Sequence, residues 1–146
     1  MISAVSDPEA PAPERPERRS LDRAIRIAGL VIAVLAAFFS GLLELFCTTL
    51  RVGGFPIGVS IVLAVVGNLA IAWFAVTTTG RRWALGPPWA VWTVMMLFAA
   101  GVRTTEGDYL IGGNDYVALL MILLGSLAYA VYSYRMILKG SVRAKP

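Results

Sequence analysis

The sequence predicts an all-α membrane four-helix bundle with both termini cytoplasmic and a disordered N-terminal tail, on three observations. Four apolar segments, at about 25–50, 57–79, 86–102 and 116–138, fill most of the 146 positions. A hydrocarbon core ~30 Å thick is crossed by ~20 residues of helix, a length that all but the third segment reach. The composition suits a chain dissolved in lipid, with 58% hydrophobic residues and a mean hydropathy of +0.72. Finally, eleven of the thirteen Lys and Arg residues fall before the first segment, in the second turn, or at the C-terminal end. Lipid offers backbone groups no hydrogen-bond partner, so the segments must be helices.

Residues 1–22 form a basic, Pro-rich cytoplasmic tail, with Pro8, Pro11, Pro13 and Pro16 among mixed charges. Such a stretch buries too little apolar surface to offset its ordering entropy, so disorder is expected. The membrane domain runs from 23 to 139, and 140–146 is a short basic C-terminal tail. An ordinary soluble domain does not fit in what remains.

The first segment carries two stripes at i, i+4 spacing: Gly29, Ala33, Ala37 and Gly41, and Ala36, Ser40, Glu44 and Thr48. Small residues at that interval let a second backbone approach closely, which is how helices associate in lipid. Leu30, Val34, Phe38, Leu42 and Leu45 are assigned to the lipid face. The second segment repeats the pattern with Ser60, Ala64, Asn68 and Ala72, and Gly67 adds a packing glycine. Gly53 and Gly54 predict a tight turn before it, Pro56 an early helical position, and Gly80 its end.

The third segment is short. Either its lead-in at 83–87 enters the membrane in non-helical form, or the bilayer thins around it. Trp83, Trp89 and Trp92 place its first turns at the interface. The fourth segment follows Gly112-Gly113-Asn114-Asp115, where Asn114 or Asp115 caps the helix, and Gly125 marks its packing centre. Tyr129, Tyr132 and Tyr134 read as one aromatic belt, and Tyr109 and Tyr116 as the other.

Positive residues on short loops stay cytoplasmic, which puts both termini inside and leaves Arg51 and Arg103 outside. The excess of Arg over Lys suggests a high-GC bacterial genome, hence a multi-pass protein of a bacterial plasma membrane. A net charge of +4 concentrated at segment ends points to the anionic inner leaflet as partner, and not to nucleic acid.

The chain has no histidine and one cysteine, Cys47. The commonest general base and commonest transition-metal ligand are therefore missing, and no phosphate loop or zinc spacing occurs. No enzyme activity, cofactor or metal is expected. Glu106, Asp108 and Asp115 lack the dense ligand spacing of a calcium loop, so capping and solvation account for them.

Two polar side chains are committed to the bilayer interior, Glu44 and Asn68. A carboxylate there is costly and calls for a named partner. The candidates are Arg103, at the outer end of the third segment, and Asn68 by hydrogen bond. Glu44 is then either a packing element, protonated or paired, or a group that binds and releases a proton or cation. Asn68 reads as interhelical glue.

ELFCTTL at 44–50 resembles the E-x-x-x-T-x-L stretch of small multidrug-resistance transporters. That resemblance implies a first-span glutamate binding proton or drug cation competitively within a dimer, although the Pro/Arg tail and one-sided charge depart from the family. A second resemblance runs over roughly 50–135. Gly67-Asn68-Leu69-Ala70, Thr79-Gly80, Ala84, Pro87, Trp92 and Gly112-Gly113-Asn114-Asp115 are similar to a family of small four-span bacterial membrane proteins without assigned activity. The expected function is a non-enzymatic structural or accessory component that forms a homo-oligomer or joins a larger membrane complex. The alternative is a small proton- or cation-coupled transporter or channel subunit using Glu44.

Overall fold

The computed structural model describes residues 16–53, 55–102 and 115–143. Its elements are α1 (Pro16–Thr48), β1 (Arg51–Val52), β2 (Phe55–Pro56), α2 (Val59–Thr79), a 3-10 turn (Arg82–Leu85), α3 (Gly86–Gly101) and α4 (Tyr116–Arg143). Four stretches are long and apolar enough to cross a membrane: Arg18–Thr48, Val59–Thr79, Arg82–Gly101 and Tyr116–Lys139.

α1 starts earlier than expected, so residues 16–22, assigned to the tail, are helical; residues 1–15 lie outside the described residues. Proline is tolerated at a first helical position, where its missing N–H would have had no partner. Residues 18–28 are all exposed, and Gly29 is the first buried position. α1 thus stands out from the bundle by about three turns at ~3.6 residues each. Its far end is closed by Thr48 and Thr49, whose hydroxyls donate to the carbonyls of Leu45 and Phe46 at 2.7 and 2.8 Å.

Between α1 and α2 the chain forms a minimal hairpin, Arg51 opposite Pro56 and Val52 opposite Phe55. Gly53 turns it with φ +59°, a left-handed conformation that glycine adopts without a Cβ clash. Pro56 therefore belongs to the hairpin, and α2 starts three residues later at Val59. α2 ends as anticipated: Gly80 has φ 66° and its N–H donates to Val76 O at 2.9 Å.

The lead-in to α3 is helical, which settles the short third segment. Arg82–Leu85 makes a 3-10 turn that runs into α3, and together they give 20 residues. The prolines in the first turn of α3 need no N–H partner there. α4 is capped by Asp115, whose Oδ1 accepts from the Ala118 N–H at 3.2 Å.

α2 is the central helix. It packs against α1 on one side and α4 on the other, while α3 leans on α1 and barely touches α4. The core is rich in alanine: Ala33, Ala37, Ala64 and Ala75 surround Ile71, Trp92, Met96 and Met121. Helices this close gain dispersion contacts along their backbones, the attraction available when the solvent is itself apolar.

The small residues sit where the spacing placed them. Gly29, Ala33, Ala37, Gly41, Ala64 and Gly125 are buried, and Gly67 is half-buried. The lipid face of α1 is rotated from the expected one. Of the residues expected there, Phe38 is exposed but Leu30, Val34, Leu42 and Leu45 are half-buried, whereas Leu35, Phe39, Leu43 and Phe46 are exposed. The reason is that α1 serves two neighbours, α2 and α3, so its buried arc is wider than one stripe.

Candidate functional site: an intramembrane polar cluster

Glu44 is fully buried on α1, one turn after Ser40. The Ser40 hydroxyl donates to its Oε1 at 2.8 Å, and the indole N–H of Trp92 on α3 donates to its Oε2 at 2.8 Å. An indole can only donate, so Oε2 must accept. A hydroxyl can donate or accept, so the Ser40 side accommodates either protonation state of the carboxyl.

Gly67 on α2 makes this arrangement possible. A Cβ there would lie 2.8 Å from Ser40 Oγ and 3.8 Å from Glu44 Oε1. The absent side chain brings α2 down over the Ser40–Glu44 pair and closes that side.

Asn68, next along α2, faces the other way. It is fully buried, and its Nδ2 donates to the carbonyl of Gly125 on α4 at 3.3 Å. The benzo edge of Trp92 covers the same glycine: a Cβ on Gly125 would lie 2.6 and 2.7 Å from the ring's Cη2 and Cζ2. Glu44, Trp92, Gly125 and Asn68 thus link α1, α3, α4 and α2 at one level.

Among the described residues, the buried polar atoms without a hydrogen-bond partner include Asn68 Oδ1 in this cluster, with Ser60 Oγ, Thr93 Oγ1 and Tyr129 OH elsewhere in the bundle.

Glu44 and Asn68 are both fully buried, and the partners that Glu44 shows are Ser40 and Trp92. Asn68 does not bond to Glu44; it is directed at Gly125, because it lies one residue, about 100° of helical turn, past Gly67. Arg103 lies outside the described residues, as do Glu106, Asp108 and Asn114. Trp92 was assigned to the interface and is instead fully buried, while Trp83 and Trp89 are exposed. Tyr129 was placed in an aromatic belt and is also buried. Trp92 was legible in principle: it lies ten residues past Arg82, too deep for an interfacial ring. Ser40 stood in the Glu44 stripe, and its i, i+4 spacing is a hydrogen-bonding distance.

Among the described residues, no group of three His, Cys, Asp or Glu could hold a metal ion. Cys47 is a half-buried free thiol. No family model, curated protein or solved structure matches this chain. Neither resemblance noted above gains support from relatives. What stands is the broader class, a chain with the four apolar helices of a multi-pass integral membrane protein.

Proposed function

We propose that this chain is a non-enzymatic integral membrane protein, a structural or accessory component that assembles with itself or with a larger membrane complex. Its setting is a bacterial plasma membrane with both termini cytoplasmic. One observation carries the reading: both oxygens of Glu44 are occupied by Ser40 and Trp92 inside a fully buried site. A coupling carboxylate must meet water during its cycle, whereas a structural one must be satisfied and sealed. Ser40 beside Glu44 is a hydroxyl next to a carboxylate, yet Gly67 leaves no room for even a methyl group above the hydroxyl.

The small-residue stripes are used within the chain, so assembly falls to the outer faces. On α1 that face is the row of Leu35, Phe39, Leu43 and Phe46.

The deciding experiment is reconstitution under an imposed pH gradient with a panel of lipophilic cations, comparing wild type with Glu44→Gln. The expected result is no Glu44-dependent flux. Such flux would establish the second reading, a small proton- or cation-coupled transporter or channel subunit. That reading draws on the unpartnered Asn68 Oδ1 and Tyr129 OH, since buried polar atoms without protein partners are where ordered water binds. Crosslinking in native membranes followed by mass spectrometry addresses assembly, with a second copy or a stoichiometric partner expected.

A further inference from the structure

A cleft of about 680 Å³ separates the 3-10 turn and the start of α3 from the second half of α4. It exists because α3 leans away from α4 and meets it through the Trp92 ring on Gly125. The size falls within the ~300–1,000 Å³ of small-ligand sites. The walls are apolar and aromatic, including Trp89, Leu123 and Leu127, with Arg82 and Trp83 at the basic end. Trp83 also walls a second hollow of about 230 Å³ bordered by Arg23, Arg26 and Arg81.

We infer that the α3–α4 cleft binds one anionic phospholipid, with an acyl chain along Trp89, Leu123 and Leu127 and the phosphate on Arg82. Charge chooses the ligand: Arg82 lines the cleft, and Arg23, Arg26 and Arg81 line the second hollow that shares Trp83, a concentration of positive charge that favours a phosphate and repels a lipophilic cation. Depth chooses between a lipid and a partner helix. The cleft's wall on α4 runs ten residues, from Ser133 back to Leu123. That is about 15 Å at the ~1.5 Å per residue of an α-helix. It matches one leaflet, about half of a ~30 Å hydrocarbon core, whereas a transmembrane partner needs the whole thickness. Tyr129, buried with an unpartnered hydroxyl, lines the same cleft, and Ser133 offers a second hydroxyl one turn nearer the basic end. These groups suit the oxygens of a lipid's glycerol-ester region.

The test uses the full chain in detergent, titrated with phosphatidylglycerol or phosphatidylcholine of matched acyl chains, with adducts counted by native mass spectrometry. One phosphatidylglycerol should be retained about tenfold better than phosphatidylcholine, and Arg82→Gln should bring the two near parity. Ala130→Trp, on the cleft wall, should abolish both adducts, while Val62→Trp on the exposed face of α2 should change neither. Millimolar inorganic phosphate should not displace the lipid, because the acyl chain supplies part of the affinity. A wild-type measurement needs no variant to fold: acyl-brominated phosphatidylglycerol should quench tryptophan fluorescence more than brominated phosphatidylcholine at equal mole fraction. Equal retention and equal quenching of the two lipids would overturn the proposal. So would displacement by phosphate alone, or a lipid-free dimer in which a second copy covers the cleft.

Discussion

Trp92 holds the bundle at two points, with its N–H on Glu44 and its benzo edge on Gly125. Because the indole is pinned at one end and fully buried, it cannot swing aside for an added methyl group. Gly125→Ala should therefore destabilise the fold by about 1–3 kcal/mol, the usual cost of overpacking. Gly41→Ala makes a useful contrast. A Cβ there collides with the terminal methyl of Met95, the far end of a flexible side chain that can rotate away, and lies 3.2 Å from Trp92 Cδ1, a milder approach than at Gly125. Denaturant titrations of the two variants in mild detergent should show the larger loss for Gly125→Ala, and a loss no larger than that of Gly41→Ala would overturn the tight seat of the Trp92 benzo edge on Gly125.

The same logic ranks changes at Glu44. Glu44→Gln keeps an oxygen for the Trp92 N–H and an amide for Ser40, so stability should be nearly retained. Glu44→Ala leaves the indole N–H buried and unpaired, at about 1–3 kcal/mol. Trp92→Phe in the alanine background should recover the part due to the unpaired N–H. Unfolding of the single and double variants measures the coupling directly, and purely additive losses would dissolve the Glu44–Trp92 tie.

At the level of helices, α1 and α2 meet through Ser40 over Gly67 and Gly29 over Thr78. With Cys47 replaced by serine, a cysteine pair at 40 and 67 should crosslink readily, while a pair at 43 and 66, both exposed, should not. Crosslinks confined to the second pair would mean that α1 presents the opposite face. The i, i+4 stripes made this contact legible, because the interval of small residues is itself the packing requirement. The lipid face was less legible. Leu42 and Leu43 are chemically identical in lipid, and only the packing of α1 against its neighbours leaves Leu42 half-buried and Leu43 exposed. The third span was misjudged for a related reason: Pro87 and Pro88 mark a helical first turn, but prolines alone do not reveal the 3-10 turn before them.

For the whole molecule, the basic residues Arg23, Arg26, Arg81 and Arg82 gather around Trp83 at one end of the bundle. If that end is cytoplasmic, a reporter fused at residue 146 should behave as cytoplasmic and one fused near 107 as exported. Equal populations of both orientations would remove the topology argument and favour the transporter reading.

Span number, the buried small residues, the isolation of Glu44 and Asn68, and the charge asymmetry were all readable along the chain. Each follows from local spacing and from what a lipid solvent forbids. The pairing of Glu44 with Trp92, the turning of Asn68 toward Gly125, and the cleft beside α3 were not. They depend on the rotation and lean of one helix against another, which arise from the sum of many weak contacts spread over four segments. No run of consecutive residues carries that sum, so only the assembled bundle decides it.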